Sequence, residues 1–156
     1  MAAQKDGLSP NAGVSFSLEE FIPFRIVSLG HAFSRRLADA YDDEGVTIPE
    51  WRVLAVIAEH RRIAARDVVA RTPMDKMSVS RAVSGLEHKQ LVERAPEETD
   101  RRVAMLTLTS HGRSIFRRIA KIALDYEARI LSELTVSERK ALCTSLSKLE
   151  VGANNL

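Results

Sequence analysis

The sequence predicts a mainly α-helical fold with a small β-hairpin, and two observations lead to this prediction. Apolar residues recur at steps of three and four along six segments, which is the spacing of one face of an α-helix. Between the fourth and fifth segments the period changes to two, as in strands, at residues 91–95 and 103–109. The expected order is therefore one long helix, three short helices, a hairpin and two more helices.

The first helix is predicted to begin at Ser17 and to end near the acidic run at residues 42–44, before Gly45. Residues 1–16 are small and polar and are broken by glycine and proline, so we expect them to form a flexible tail. The helix carries an apolar stripe that is too long for a small domain to cover alone, and something else must pack on it. The stripe consists of Ile22, Ile26, Leu29, Phe33, Leu37 and Tyr41.

Two short helices come next. A capping box of Thr47 and Glu50 starts the first, which is expected to run to about His60. Residues 61–63 are predicted to be a short connection, and residues 65–72 the following helix.

The third short helix has two chemically different faces. Pro73 ends the preceding helix, and Asp75 is a natural N-cap for a helix to about Lys89. One face has the spacing of a core: Met77, Val79, Val83 and Leu86. The opposite face is polar: Lys76, Ser78, Ser80, Arg81 and Ser84.

The last two helices carry another long apolar seam. Thr109 or Ser110 is expected to cap the first of them, and the second is predicted over residues 137–150. The seam again lacks a partner within the predicted elements. It consists of Ile115, Ile119, Ile122, Tyr126, Ile130, Leu142, Leu146 and Leu149.

The net charge of the chain is only +2, but the positive charge is concentrated in the middle. Residues 61–118 carry 13 Lys and Arg against 7 Asp and Glu, a net charge of +6, which leaves −4 for the rest. A basic middle segment can dock a polyanion, although a solvated basic surface explains the charge equally well.

Composition and motifs argue against several classes of protein. The chain is 45% hydrophobic and 28% charged, no apolar run approaches the roughly 20 residues of a membrane span, and no secretory signal precedes the first helix. We therefore expect a globular, cytoplasmic protein without a membrane partner. The four histidines lack metal-ligand spacing, and no phosphate loop, nucleophile elbow or carboxylate pair is present, so we expect no metal, no cofactor and no enzymatic activity.

Cys143 is the only cysteine, which agrees with a reducing compartment. It lies within a leucine seam and lacks a nearby cation in sequence, so we predict a small apolar core residue rather than a peroxide sensor. A redox-sensing role for this thiol remains the alternative.

Two short helices joined by a tight turn and followed by a basic hairpin form the plan of a winged helix-turn-helix, here over residues 47–109. An α-helix fits the major groove, which is about 12 Å wide, and base edges there are read by short hydroxyls and by arginine. The polar face supplies this chemistry. Small side chains also let a helix approach the bases closely. A solvated surface helix is the competing explanation for this face taken alone.

The predicted hairpin tip strengthens the nucleic-acid interpretation. Arg101 and Arg102 are adjacent there, where a guanidinium can enter the minor groove or clamp phosphates, and Asp100 can brace the next arginine. The residues predicted to contact DNA are Lys76, Met77, Ser78, Ser80, Arg81, Ser84, Arg101 and Arg102.

A family resemblance is carried by residues 48–54, 74–83, 86–87, 100–102 and 106–109, with Gly112. Over residues 18–150 the chain resembles the MarR family of bacterial transcription regulators. The resemblance implies an obligate homodimer in which residues 17–46 and 110–152 form a helical dimerisation region. It also implies that Ser78, Ser80, Arg81 and Ser84 match major-groove positions and that Arg101 and Arg102 match the minor-groove arginines of the wing.

The expected function is that of a ligand-responsive regulator, and most simply a repressor, that binds palindromic operator DNA as a homodimer. The resemblance implies a small aromatic or phenolic anion as effector, in a cleft between the dimer helices and the winged domain. His31 or Arg35 can meet its carboxylate, while Trp51 and Phe116 can contact a ring. Ordinary packing or solvation explains these four residues equally well. A winged helix that binds protein or RNA is the alternative function.

Overall fold

The computed structural model describes residues 15–96 and 103–155. These residues fall into two units, the first ending at Arg35 and the second beginning at Arg36. The described part is mainly helical with one small antiparallel sheet, as predicted. In chain order the elements are α1 (Ile22–Ala40), a 3-10 turn (Asp42–Glu44), α2 (Ile48–His60), β1 (Arg62–Ala64), α3 (Ala65–Ala70), α4 (Lys76–His88), β2 (Val92–Pro96), β3 (Ala104–Leu108), α5 (Ser110–Leu131) and α6 (Val136–Asn154).

The first helix begins five residues later than predicted, at Ile22 instead of Ser17. Proline is tolerated in the first turn of a helix, where its missing N–H has no partner to lose. A start at Ile22 places Pro23 in that turn, whereas a start at Ser17 would place it in the interior.

The predicted helix caps at three positions are confirmed. Thr47 and Glu50 form the capping box of α2, Asp75 caps α4, and Thr109 caps α5 by accepting from the backbone N–H of Gly112 at 2.9 Å. Each cap satisfies backbone donors that a helix leaves unpaired at its first turn. The sequence alone therefore indicates where these helices start.

The prediction of a simple connection at residues 61–63 is wrong. Residues 62–64 form β1, which pairs with β3 so that Ile63 lies opposite Leu106, and β3 also pairs with β2. The sheet therefore has three strands in the order β1–β3–β2. A strand of three residues is too short to show alternation, which is why the pattern gave no sign of it.

One core lies where α2 and α4 cross and where the sheet and the first half of α5 pack on them. Among the described residues, Glu50 is the only one with a charged side chain that is buried in this core. The core residues with almost no exposed surface are Tyr41, Val53, Leu54, Ile57, Val68, Val83, Leu86, Leu106 and Ile119.

The last helix, α6, has no buried residue. Leu142, Leu146 and Leu149, predicted to form a seam, are 41–50% exposed. Cys143 is exposed as well, so the prediction of a core cysteine is wrong. A leucine spacing shows that a helix has an apolar face, but not that its own chain covers that face.

The residues of α1 that precede Arg36 present large apolar side chains in the same way. Exposed fractions range from 37% to 57% for Ile22, Phe24, Ile26, Val27, Leu29 and Phe33. A search of the described helices finds none that is both long and apolar enough to cross a membrane.

Candidate nucleic-acid interface

The helix α4 presents one apolar and one polar face. Val79, Ala82, Val83 and Leu86 are buried in the core. The residues of α4 that were predicted to contact DNA lie on the rest of its surface. Lys76, Met77, Ser80, Arg81 and Ser84 are exposed, and Ser78 is half-buried.

Met77 corrects part of the sequence analysis. It was predicted both as a core anchor and as a DNA contact, and it is 61% exposed. Residues two positions apart on a helix differ in direction by about 200°. Met77 therefore points away from the core that Val79 enters. The core prediction for Met77 is wrong, while its contact with DNA stays a prediction.

The start of α4 is held by Asp75. Its carboxylate accepts the backbone N–H of Ser78 at 2.8 Å and the Ser78 hydroxyl at 2.8 Å. The backbone N–H bond, followed by the hydroxyl bond, holds the pKa of the Asp75 carboxyl below its usual value. The Ser78 hydroxyl therefore donates to the cap and retains its oxygen as an acceptor for another donor.

A groove of about 380 Å³ lies between α3, α4 and β2. Its floor is apolar, and its basic side chains are Arg66, Lys76 and Arg94. Arg94 is paired with Glu87 on α4, with N–O distances of 3.1 and 3.2 Å. The sequence analysis did not single out Arg66 or Arg94; their position beside the serine-rich helix in the fold, rather than any local motif, identifies them.

The strands β2 and β3 form the hairpin that was predicted as the wing, with Pro96 opposite Ala104. Asp100, Arg101 and Arg102 belong to the segment that joins these strands and lie outside the described residues. Their contact with DNA stays a prediction.

The end of α4 is held by an ion pair between the exposed Lys89 and the buried Glu50. Glu50 accepts from Lys89 at 2.6 Å and from the backbone N–H of Thr47 at 2.8 Å. Lys89 also donates to the carbonyl of Gly45 at 2.7 Å. Burial opposes ionisation of Glu50, but the bonds from Lys89 and Thr47 outweigh it and hold the pKa of this carboxyl below its usual value.

The four predicted effector residues have different surroundings. Trp51 stacks on Phe116 with ring centroids 5.8 Å apart, and it also contacts Tyr41 at 6.1 Å. Both Trp51 and Phe116 are half-buried, as packing at the edge of the core requires. His31 and Arg35 are exposed on α1. Binding of an effector by these residues stays a prediction.

A cavity of about 390 Å³ lies between the second half of α2 and the start of α5. Its apolar lining is Ile57, Ala58, Leu108 and Phe116, and three guanidinium groups, those of Arg61, Arg113 and Arg117, complete it. Arg113 donates to the carbonyl of Leu108 at 2.6 Å. Arg61 has a positive φ of 60°, an uncommon conformation for a side-chain-bearing residue.

Phe116 was predicted from the sequence as a contact of the effector, but these three arginines were not. Arg61 precedes Arg113 by 52 positions and Arg117 by 56 in the sequence, and the packing of α2 against α5 brings them together. Within the described ranges, no three His, Cys, Asp or Glu residues come close enough to hold a metal ion.

Comparison with known proteins points to one family. Residues 44–103 match the model of the MarR family. The HTH-type transcriptional regulator BilQ of Clostridium symbiosum is 29% identical over 106 residues, which cover 68% of this chain and 74% of that protein. The HTH-type transcriptional repressor MdtR of Bacillus subtilis is 26% identical over 132 residues, which cover 85% of each protein.

Solved structures with the same fold include a cysteine-to-serine mutant of MarR from E. coli complexed with operator DNA. It is 24% identical, covers 86% of this chain and 99% of its own, and superposes with a TM-score of 0.76. BpsR of Bordetella bronchiseptica, whose DNA binding is regulated by 6-hydroxynicotinic acid, is 20% identical, covers 88% and 98%, and has a TM-score of 0.79.

Proposed function

We propose that this chain, whose residues 44–103 match the model of the MarR family, is a ligand-responsive transcription regulator of that family that binds palindromic operator DNA as a homodimer and acts as a repressor. The observation that carries the proposal is the exposed polar face of α4 beside a basic groove. Because its partner is chromosomal DNA, the protein is expected to act in the cytoplasm, and no catalytic step is part of this function.

The face of α4 suits the major groove for steric and chemical reasons. Ser80 and Ser84 are small and exposed, so they let the helix approach the base edges. Arg81 makes no hydrogen bond or ion pair with the described residues and is available to bond a guanine bidentately. Arg66 and Lys76 flank this face and are placed to contact phosphates, which contribute affinity rather than specificity.

The dimer is proposed from the apolar surface that the chain leaves uncovered. The leucines of α6 and the apolar residues of α1 up to Phe33 are exposed in a single chain. Soluble proteins rarely leave apolar surface of this extent in water, and a second copy would bury it. In this proposal residues 17–46 and 110–152 form the dimerisation region and residues 47–109 form the DNA-binding domain.

The cavity between α2 and α5 supports a response to a small anionic, aromatic ligand. Its apolar lining suits a ring, and Phe116 offers a face for stacking. Arg61 and Arg117, which have no partner among the described residues, are available for a carboxylate or phenolate. His31 and Arg35 belong to the first unit and are separate candidates for binding an effector.

Selection of duplexes from a random DNA library by the full chain tests the central part of this proposal. We expect enrichment of one palindrome whose half-sites are about one helical turn apart, since two reading helices related by a dyad must meet successive major grooves. Affinity for the enriched duplex should fall steeply with added salt, and sedimentation should give a dimer. Enrichment of no sequence, or preference for RNA over duplex DNA, would contradict the proposal.

A further inference from the structure

The C-terminal end of α4 is connected to the middle of α5 by an ion pair, a turn and a hydrogen bond. The 42–45 turn, residues Asp42–Gly45, lies between the ion pair and the hydrogen bond. On one side Glu44 binds Arg118 of α5. On the other side the carbonyl of Gly45 binds Lys89, the C-cap of α4.

The ion pair between Glu44 and Arg118 is bidentate. Arg118 donates from Nε to one carboxylate oxygen of Glu44 at 2.8 Å and from a terminal nitrogen to the other at 2.7 Å. A third N–H of Arg118 reaches the Ser114 hydroxyl at 3.0 Å, which fixes the guanidinium on α5. Bidentate pairing restricts both the distance and the orientation of the two groups, so Glu44 follows α5 closely.

The hydrogen bond from Lys89 to the turn is supported by an ion pair between Lys89 and a buried carboxylate. Lys89 is shared between the Gly45 carbonyl at 2.7 Å and the buried carboxylate of Glu50 at 2.6 Å. The other carboxylate oxygen of Glu50 lies against Gly85, leaving no room for a Cβ there. The last turn of α4 is therefore packed on Glu50 at Gly85 and bonded through Lys89, with little freedom to move independently.

We infer that Lys89 and Arg118 are positioning residues that couple α5 to the end of α4 through the 42–45 turn. A displacement of α5 would pull Glu44, carry the adjacent Gly45 carbonyl with it, and shift Lys89 and the last turn of α4. The inference rests on the proposed function in one respect, namely that α4 is the helix that reads DNA. Proximity of α4 and α5 is not by itself evidence that they are coupled. The test must therefore measure whether a change on α5 alters the end of α4.

Amide hydrogen exchange of the free, full chain tests this coupling without any DNA. Arg118→Met is expected to speed exchange in the last turn of α4, residues 86–89, by about two- to fivefold, the range for one partly exposed ion pair. Among the described residues, Arg118 bonds to Glu44 and Ser114 and to no residue of α4. Glu44→Gln should act in the same way, because it weakens the same pair from the other side.

The decisive comparison is the effect of Arg118→Met in the wild-type protein and in the Lys89→Met protein. In Lys89→Met protein the connection is already broken, so adding Arg118→Met should change exchange in the last turn of α4 no further. Arg94→Met is the matched control, since it removes the Glu87–Arg94 pair of the same helix without touching the 42–45 turn. If the two pairs act independently, the double variant Arg94→Met/Arg118→Met should increase the exchange rate by the product of the two single effects.

Three results would overturn the inference. Exchange at residues 86–89 could be unchanged in both Arg118→Met and Glu44→Gln, or Arg118→Met could have its full effect in the Lys89→Met background. Equal acceleration at the core amides of Val53 and Leu54 would mean global destabilisation instead. If Lys89→Met does not fold, the two variants of the Glu44–Arg118 pair decide the question. Absence of DNA binding by the wild type would refute the proposed function and leave this result standing.

Discussion

The carboxylate of Glu50 lies directly against the backbone of Gly85, in the space that a Cβ at position 85 would occupy. The side chain of Glu50 is restrained there by the bonds that its other oxygen, Oε2, accepts from Thr47 and Lys89. The contact joins the first turn of α2 to the last turn of α4, and it sets how closely the proposed reading helix packs on the domain.

Gly85→Ala is therefore expected to destabilise the protein by about 1–3 kcal/mol, the usual cost of forcing an extra group into a packed site. Gly152 of α6 provides the control, because a Cβ there meets nothing within 4 Å. Gly152→Ala should be stabilising by up to about 1 kcal/mol through helix propensity. Urea unfolding measures both, and a stabilising Gly85→Ala would contradict the packing described.

Stability should depend on the charge of Glu50. Its pKa is lower in the folded chain than its ordinary value of 4.5, so the unfolded chain binds the proton more readily. The stabilisation is complete above about pH 5 and is lost as the pH falls through the folded pKa. Glu44, whose pKa is lowered by its hydrogen bond from Arg118, acts in the same direction.

Glu50→Gln should cost about 1.5–3 kcal/mol at pH 7, the range for hydrogen bonds to a charged group. Its free energy of unfolding should also fall less steeply than that of the wild type between pH 5 and lower pH. Glu150→Gln, at an exposed position of α6, is the control and should change neither quantity. Parallel pH profiles for Glu50→Gln and the wild type would show that the ion pair contributes nothing.

The cavity between α2 and α5 should bind aromatic acids through Arg61. At a hundred times its Kd, 2-hydroxybenzoate is expected to stabilise the chain by about 2.7 kcal/mol, which raises Tm by about 5–10 °C for a protein of this size. Arg61→Ala should abolish most of this shift, whereas Arg66→Ala, which removes an arginine from the other groove, should retain it. An undiminished shift in Arg61→Ala would place the ligand elsewhere.

Much of the fold follows from local sequence patterns. Thr47, Asp75 and Thr109 are polar caps that act on residues two or three positions away, so their effect is visible without the rest of the chain. The period of the apolar residues also identifies which side of α4 is buried, apart from Met77 in its first turn. In these cases the signal lies within one helical turn.

The features of the fold that the sequence could not indicate depend on contacts between segments that are distant in the chain. β1 exists because Ile63 pairs with Leu106, and the Glu50–Lys89 pair joins residues 39 positions apart. The arginines of the α2–α5 cavity are likewise brought together only by the fold. Cys143 shows a different limit: its leucine neighbours form an apolar face, but the described chain does not cover it.

Quantitative binding of Arg81→Ala to the enriched duplex and to every single-base variant of it tests most directly whether α4 reads DNA. We predict a loss of about 1–3 kcal/mol with relaxed specificity at one base of each half-site, whereas Arg101→Ala should weaken all duplexes evenly. Lys148→Ala, which removes one charge from exposed α6, should leave the whole profile unchanged. Unaltered base preference in Arg81→Ala would contradict the assignment of α4 as the reading helix.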